Sequence, residues 1–220
     1  MKKNFLTAKA LFLVLLFMFA LNATHAQVQR VSNNSQIGIT AGALVYNGRY
    51  SVDASTSTFA SWGATVFYVP NISLIKNLNL KAALMGGQLK GDNTAVQTTG
   101  GQGTFSANIV EFSIRAEYDF LNMNTNRFSP YIATGPGFYS LLNYNSSMGN
   151  KASSDLMGFV LPVGGGIKYS VGPRTQLLFD GTVRLFNKNL DDYPATNNVN
   201  KYFTLGLGFS YKLQKPNTLW

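Results

Sequence analysis

Val110-Glu-Phe-Ser-Ile-Arg-Ala-Glu-Tyr-Asp-Phe120 is the stretch that decides the reading of this chain. Val110, Phe112, Ile114, Ala116, Tyr118 and Phe120 alternate without a break with Glu111, Ser113, Arg115, Glu117 and Asp119. A period of two puts each set on its own face of a strand. A helix, turning every 3.6 residues, would scatter both sets around its axis.

The pattern recurs on both sides of this stretch. In Gln36–Tyr46, Ile37, Ile39, Ala41, Ala43 and Val45 oppose Gln36, Gly38, Thr40 and Gly42. Phe59–Tyr68 sets Ala60, Trp62, Ala64, Val66 and Tyr68 on one face, and Leu78–Leu89 begins Leu78, Leu80, Ala82, Leu84 opposite Asn79 and Lys81. Tyr131–Leu141 is rich in glycine and aromatics, and its facing is ambiguous. In Leu156–Tyr169, Phe159, Leu161, Val163, Gly165, Ile167 and Tyr169 oppose Pro162, Gly164, Gly166 and Lys168. In Thr175–Leu185, Leu177, Phe179, Val183 and Leu185 oppose Gln176, Asp180, Thr182 and Arg184. In Tyr202–Leu213, Phe203, Leu205, Leu207, Phe209, Tyr211 and Leu213 oppose Thr204, Gly206, Gly208, Ser210 and Lys212. Eight strands are predicted.

The links alternate in length. Asn47–Ser57, Lys90–Thr104, Leu142–Asp155 and Asn187–Asn200 read as long polar loops, while Val69–Asn77, Leu121–Ser129 and Val171–Arg174 read as shorter turns. Long loops on one rim and short turns on the other describe an up-and-down meander with both termini on the turn side. The fold class expected is all-β, an eight-stranded antiparallel up-and-down transmembrane β-barrel.

The first 26 residues stand apart. Lys2 and Lys3 precede the apolar run Leu11–Leu21, and Ala23 and Ala26 supply small residues before a cut after Ala26. That is the layout of a signal peptide, and the run is about half the roughly 20 residues a membrane-spanning helix needs. No cysteine follows the cut, so a lipoprotein is excluded. The expected organisation is a signal peptide over 1–26, a periplasmic segment over 27–35, the barrel over 36–213 and a tail over 214–220. Without Lys2, Lys3 and Lys9 the chain keeps 15 basic and nine acidic residues, a net charge of +6.

A soluble ligand-binding barrel alternates too, with its apolar face inward. Three features favour the membrane form. The polar face is mostly Gly, Ser, Thr, Asn and Gln, which suits a narrow lumen better than a charged outer surface. Eleven residues tilted by about 40° rise roughly 28 Å, close to the roughly 25 Å apolar band of such barrels. Aromatics expected as interfacial girdles (Tyr46, Phe59, Tyr68, Tyr118, Phe120, Tyr131, Tyr169, Phe203, Tyr211) sit near strand ends.

The last strand, Thr204-Leu-Gly-Leu-Gly-Phe-Ser-Tyr211, resembles the C-terminal signal read by outer-membrane assembly machinery through Thr204, Gly206, Phe209 and Tyr211. The tail after it departs from chains that end on the strand. The whole chain resembles small outer-membrane barrels of the OmpA and OmpX type, and more closely a Bacteroidota barrel family that includes PorG. The likeness is carried by Gln36-Ile-Gly-Ile-Thr-Ala-Gly42, Leu89-Lys-Gly-Asp92, Glu111–Phe120, Phe128-Ser-Pro-Tyr131, Leu161–Tyr169 and Leu190-Asp-Asp-Tyr193. It implies the barrel fold and the bacterial outer membrane, with lipids and the assembly machinery as partners. Docking to a periplasmic protein complex, as in PorG, is a further implication that no residue here marks.

Lys81, Glu111, Arg115, Glu117, Lys168, Asp180 and Arg184 share the inward faces of their strands. Unpaired charge in a low-dielectric interior is costly, so these are expected to pair within the lumen, as a plug that fixes register or as an ion path or gate. No catalytic, metal or cofactor site is expected. The one histidine, His25, precedes the cut, and there is no cysteine. Barrel-borne phospholipases and proteases need a catalytic histidine. Gly164-Gly165-Gly166 lacks the spacing of a phosphate loop. Asp191 and Asp192, with Asn187, Asn189 and Asn197, are weighed as a calcium site and read as solvated loop residues.

The basic residues form no stripe, which argues against nucleic acid. Their nearer use is anionic head groups or outer-leaflet phosphates, and Lys76, Arg127, Arg174, Lys212 and Lys215 lie near the turn rim. The function expected is a non-enzymatic outer-membrane barrel with a structural or interaction role carried by long loops. The alternatives are a secretion-system accessory, a narrow small-solute or ion channel, and a soluble ligand-binding barrel.

Overall fold

The computed structural model describes residues 35–47, 61–98, 101–123, 125–146, 156–187 and 201–213. The expected signal peptide, the tail and most of the long-loop residues, Asp191 and Asp192 among them, lie outside the described residues. Among the described residues there are ten strands: β1 (Gln36–Asn47), β2 (Ser61–Val69), β3 (Ser73–Ile75), β4 (Leu78–Thr98), β5 (Gly101–Asp119), β6 (Phe128–Thr134), β7 (Gly137–Ser146), β8 (Met157–Ser170), β9 (Thr175–Phe186) and β10 (Lys201–Lys212).

These strands make an eight-stranded ring. β3 is a three-residue strand inside the link between β2 and β4, pairing only with β4. β6 and β7 are one stave interrupted at Gly135-Pro136. The register is unbroken across that gap: Ala116↔Thr134 and Ser113↔Gly137 on β5, Val163↔Thr134 and Val160↔Gly137 on β8. Pro136 has no N–H to give and lies in the gap between β6 and β7, and Pro162 faces that gap on one side while partnering Arg184 of β9 on the other. The ring closes between first and last strands, Gln36↔Lys212 through Asn47↔Lys201, all antiparallel. Closure leaves no sheet edge, the condition for placing strands in hydrocarbon. No helix among the described residues is long and apolar enough to cross a membrane.

The large apolar side chains face outward. Phe112 is 50% exposed, Phe159 67% and Leu207 68%, with Ile114, Ile132, Leu161 and Leu205 exposed beside them. The opposite parity points inside: Glu111 is 0% exposed, and Ser113, Arg115, Glu117, Lys168, Thr182 and Arg184 are all buried.

Several sequence expectations are corrected. Lys90–Thr104 is not a loop: β4 and β5 continue as a paired hairpin to Thr98↔Gly101, with one irregularity between Asn93 and Gln97. Polar residues can alternate in a two-stranded ribbon without any apolar face to betray it, which is why the segment reads as a loop. The fifth stave starts at Phe128, inside the expected Leu121–Ser129 link, and runs to Ser146, into the expected Leu142–Asp155 loop. Tyr46 and Tyr131 are not girdle residues. They carry the inward parity of Leu44 and Ala133 and are buried. Nor is the interior only small and polar. Toward the long-loop end it holds Leu44, Met85, Leu89, Ile109, Leu141 and Phe186, packed as one apolar cluster with Tyr139 and Tyr202.

Candidate functional site

The lumen is the one place where the described residues concentrate ionisable groups. Two layers can be distinguished along the barrel axis, both below the apolar cluster.

The upper layer is built on Glu111. Its Oε2 accepts from Arg184 Nε at 2.5 Å and from the Tyr202 hydroxyl at 3.0 Å, and its Oε1 accepts from Arg115 Nη2 at 3.1 Å. Arg184 also donates through Nη1 to Thr204 Oγ1 at 2.7 Å, and its guanidinium lies 4.9 Å from the Tyr202 ring centre. Arg115 Nε donates to Ser113 Oγ at 3.0 Å. One carboxylate therefore answers two guanidinium groups from β5 and β9, tying opposite parts of the wall together.

The lower layer is built on Glu117. Lys81 Nζ lies 2.8 Å from Oε2 and Lys168 Nζ 2.5 Å from Oε1. Lys168 also meets Asp119 Oδ1 at 2.6 Å, and Asp119 Oδ2 accepts from Asn79 Nδ2 at 2.9 Å. The Tyr131 ring sits between the two ammonium groups, 5.3 Å from Lys81 and 4.9 Å from Lys168, with Phe67 on the far side of Lys81 at 4.3 Å. Lys81 and Arg115 are directly opposite in the β4–β5 ladder, a destabilising juxtaposition for like charges. They escape it by turning apart, Lys81 toward Glu117 and Arg115 toward Glu111.

Asp180 belongs to neither layer. It accepts from the Tyr131 hydroxyl at 2.5 Å and from Thr182 Oγ1 at 2.9 Å. Tyr131 on β6 reaches it across β8, and register explains how: Tyr131, Gly166 and Asp180 are consecutive partners across three strands. With no side chain at Gly166 the phenol passes freely. A Cβ there would also collide with the Phe179 carbonyl oxygen of β9. The Gly164-Gly165-Gly166 run thus lies mid-strand, flanked by β6 and β9, and serves close approach.

The same row continues as Gly206, Gly42, Gly63 and Gly87, each the partner of the last. Gly206, Gly42 and Gly63 line a cavity of about 20 Å³ with Thr40, Thr65, Asp180 and Thr204, room for about one water molecule.

The seven residues singled out from sequence are therefore all in the lumen, with Asp180 only partly buried. Asp119, Tyr131 and Tyr202 join them in the network and were not singled out. Asp119 completes the charge balance: Lys81, Arg115, Lys168 and Arg184 stand against Glu111, Glu117, Asp119 and Asp180. Its signal was present, since it carries the inward parity of Glu117. Of the assembly-signal positions, Thr204 and Gly206 face the lumen, while Phe209 and Tyr211 are exposed outside. Tyr211 accepts from Arg174 Nη1 at 3.3 Å. Asn187, weighed as a calcium ligand, accepts from the Phe159 backbone N–H at 3.0 Å through Oδ1. Among the described residues no group of three or more His, Cys, Asp or Glu is placed to hold a metal.

A family model described as a domain of unknown function (DUF6089) matches residues 9–210. No curated protein sequence matches the chain. Solved structures do. The crystal structure of Neisserial surface protein A (NspA), from Neisseria, superposes with a TM-score of 0.50 at 14% identity, covering 81% of this chain and 97% of that one. The outer membrane protein OprG from Pseudomonas aeruginosa superposes with a TM-score of 0.51 at 11% identity, covering 83% of this chain and 98% of that one. At such identities the likeness is one of fold: a small closed antiparallel barrel.

Proposed function

The chain belongs to the DUF6089 family, and from that premise we propose that it is a bacterial outer-membrane protein with no catalytic role, acting through what it displays on its long-loop rim. The observation that carries this reading is the inverted distribution of polarity, with Phe112, Phe159 and Leu207 exposed outside and Glu111, Glu117 and Arg184 buried inside. A soluble barrel would reverse it. Likeness to NspA and OprG, both outer-membrane proteins or surface proteins by name, supports the location.

The lumen serves as a plug. Four cations pair with Glu111, Glu117 and Asp119, Tyr131 and Thr182 hold Asp180, the apolar cluster closes the loop side, and the cavity beside Asp180 is about 20 Å³. The interaction surface is then the loop rim, where the β4–β5 hairpin rises past Leu89, the residue level with Ser61 at the start of β2. Phe209 and Tyr211 on the outer face of the last strand suit recognition by the assembly machinery during insertion.

Two measurements test this. Folded protein should migrate faster on a gel unboiled than boiled, and equal mobility would contradict the membrane barrel. In planar bilayers it should show no steady conductance. Currents that change when Arg115 or Glu117 is neutralised would establish the channel instead. A secretion-system accessory role of the PorG type rests on the sequence resemblance alone, and cross-linking a periplasmic complex to the turn rim would favour it.

A further inference from the structure

The charges of residues 27–220 are not spread evenly over the molecule. They number 15 Lys and Arg against nine Asp and Glu. Four of each occupy the lumen, where they cancel. In sequence, Arg49, Lys90, Lys151, Lys188 and Lys201 equal in number Asp53, Asp92, Asp155, Asp191 and Asp192, and all ten fall in or beside the stretches read from sequence as long loops. Everything left over belongs to the turn side: Lys76 before β4, Arg127 before β6, Arg174 before β9 and Lys212 at the end of β10. Arg30 and Lys215 lie in the segments leading into β1 and out of β10. No carboxylate on the described turn rim is exposed. The lowest, Asp119, is buried and paired with Lys168. Among the described residues the turn rim therefore carries an excess of positive charge, from Lys76, Arg127, Arg174 and Lys212.

We propose that this rim is a collar that binds the phosphates of anionic phospholipid head groups in the leaflet on the turn side. The proposal rests on the outer-membrane reading, under which short turns face the periplasm and the leaflet concerned is the inner one. Lys76, Arg127 and Arg174 are exposed and Lys212 half-buried. Lys76 and Arg127 stand beside apolar side chains turned outward on the barrel perimeter, Ile75 and Phe128, whereas Lys212 carries the inward parity of buried Ser210 and lies outside the collar. Arg174 is held against the outward-facing Tyr211 hydroxyl. Cations set directly at the edge of an apolar band are placed for lipid, whose acyl chains meet the band while its phosphate meets the cation. An acidic protein docking along the barrel axis would have no use for the apolar neighbours. The expectation of outer-leaflet phosphates is thus moved to the other leaflet.

The test uses the purified full chain folded in neutral detergent, titrated with micelles carrying fluorescent phosphatidylglycerol or phosphatidylcholine of equal chain length. The wild type should prefer phosphatidylglycerol, and the preference should fall with added salt. K76Q and R127Q should each lower it by about fivefold, and K76Q/R127Q/R174Q by on the order of a hundredfold. The loop-rim variant K90Q/K201Q should leave it unchanged. Gel mobility of the same samples, unboiled and boiled, reports separately on the barrel. A heat-modifiable protein that takes both lipids equally, or whose preference survives the turn-rim substitutions, overturns the collar while leaving the barrel intact. Displacement of the lipid by polyglutamate would assign the rim to an acidic protein and overturn the lipid proposal. Absence of heat modifiability would fall on the outer-membrane reading itself.

Discussion

The two arcs of the barrel wall fill the lumen in opposite ways. On the arc from β4 through β9, Lys81, Glu111, Arg115, Glu117, Lys168 and Arg184 send long ionised side chains inward. On the arc of β10, β1 and β2, the inward positions include Gly208, Gly206, Gly38, Gly42 and Gly63, with Thr40, Thr65 and Thr204. Neither arc makes sense alone. Eight strands enclose room for little more than side chains, so reach on one side requires absence on the other. The charged arc supplies cohesion between distant strands, and the glycine arc supplies the volume in which the ion pairs form without water.

The sharpest way to break this complementarity is to remove a shared acceptor. Glu117→Ala takes from Lys81 its carboxylate partner and leaves Lys168 only Asp119. Stranding a buried charge costs about 3–5 kcal/mol, readable as a lowered urea midpoint for the barrel in lipid vesicles. A loss under about 1 kcal/mol would mean that water reaches the lysines. Next comes Gly166→Ala, which intrudes on the Phe179 carbonyl and on the Tyr131 path to Asp180. Overpacking of this kind costs about 1–3 kcal/mol, and unfolding of the variant by the same denaturant should show it.

Tyr131→Phe sharpens the comparison, because it deletes one hydrogen bond and keeps the ring between Lys81 and Lys168. A loss of about 1 kcal/mol is expected, and a double-mutant cycle with Asp180→Asn should show the two effects to be coupled. Gly206→Ala should do least. Its added methyl group meets the Ala41 carbonyl at 3.1 Å and borders the small cavity rather than striking backbone head-on. A change within about 1 kcal/mol is expected, well below that of Gly166→Ala. If the two alanines prove equally harmful, the glycine row is not graded by the space around it.

Strand number, facing and the inward charges were legible because period two survives wherever one face is uniformly apolar, as in Glu111–Asp119 and Thr204–Leu213. Legibility ended where that uniformity did. The β4–β5 hairpin beyond Lys90 has no apolar face to count, so the ribbon reads as a loop. Tyr131 reads as an outward girdle residue although it points inward, because Gly135-Pro136 interrupts its stave and an aromatic suits either face. The glycine row was invisible for a different reason. It is a property of register between strands distant in sequence, such as Gly42 with Gly206, and no single strand records it. The apolar cluster under the loops is not legible because Ile109 and Leu89 lie on the inward parity of Glu111 and Lys81, where the alternation leads one to expect polar side chains.

The orientation of the wall is open to one direct measurement. The chain has no cysteine, so Leu207→Cys gives a single site for a spin label on the most outward part of β10. In lipid bilayers its collision rate with oxygen should be high and that with a water-soluble nickel chelate low, as for a label among acyl chains. Strong relaxation by the nickel chelate, with little by oxygen, would place Leu207 in water and contradict a barrel whose apolar face meets hydrocarbon.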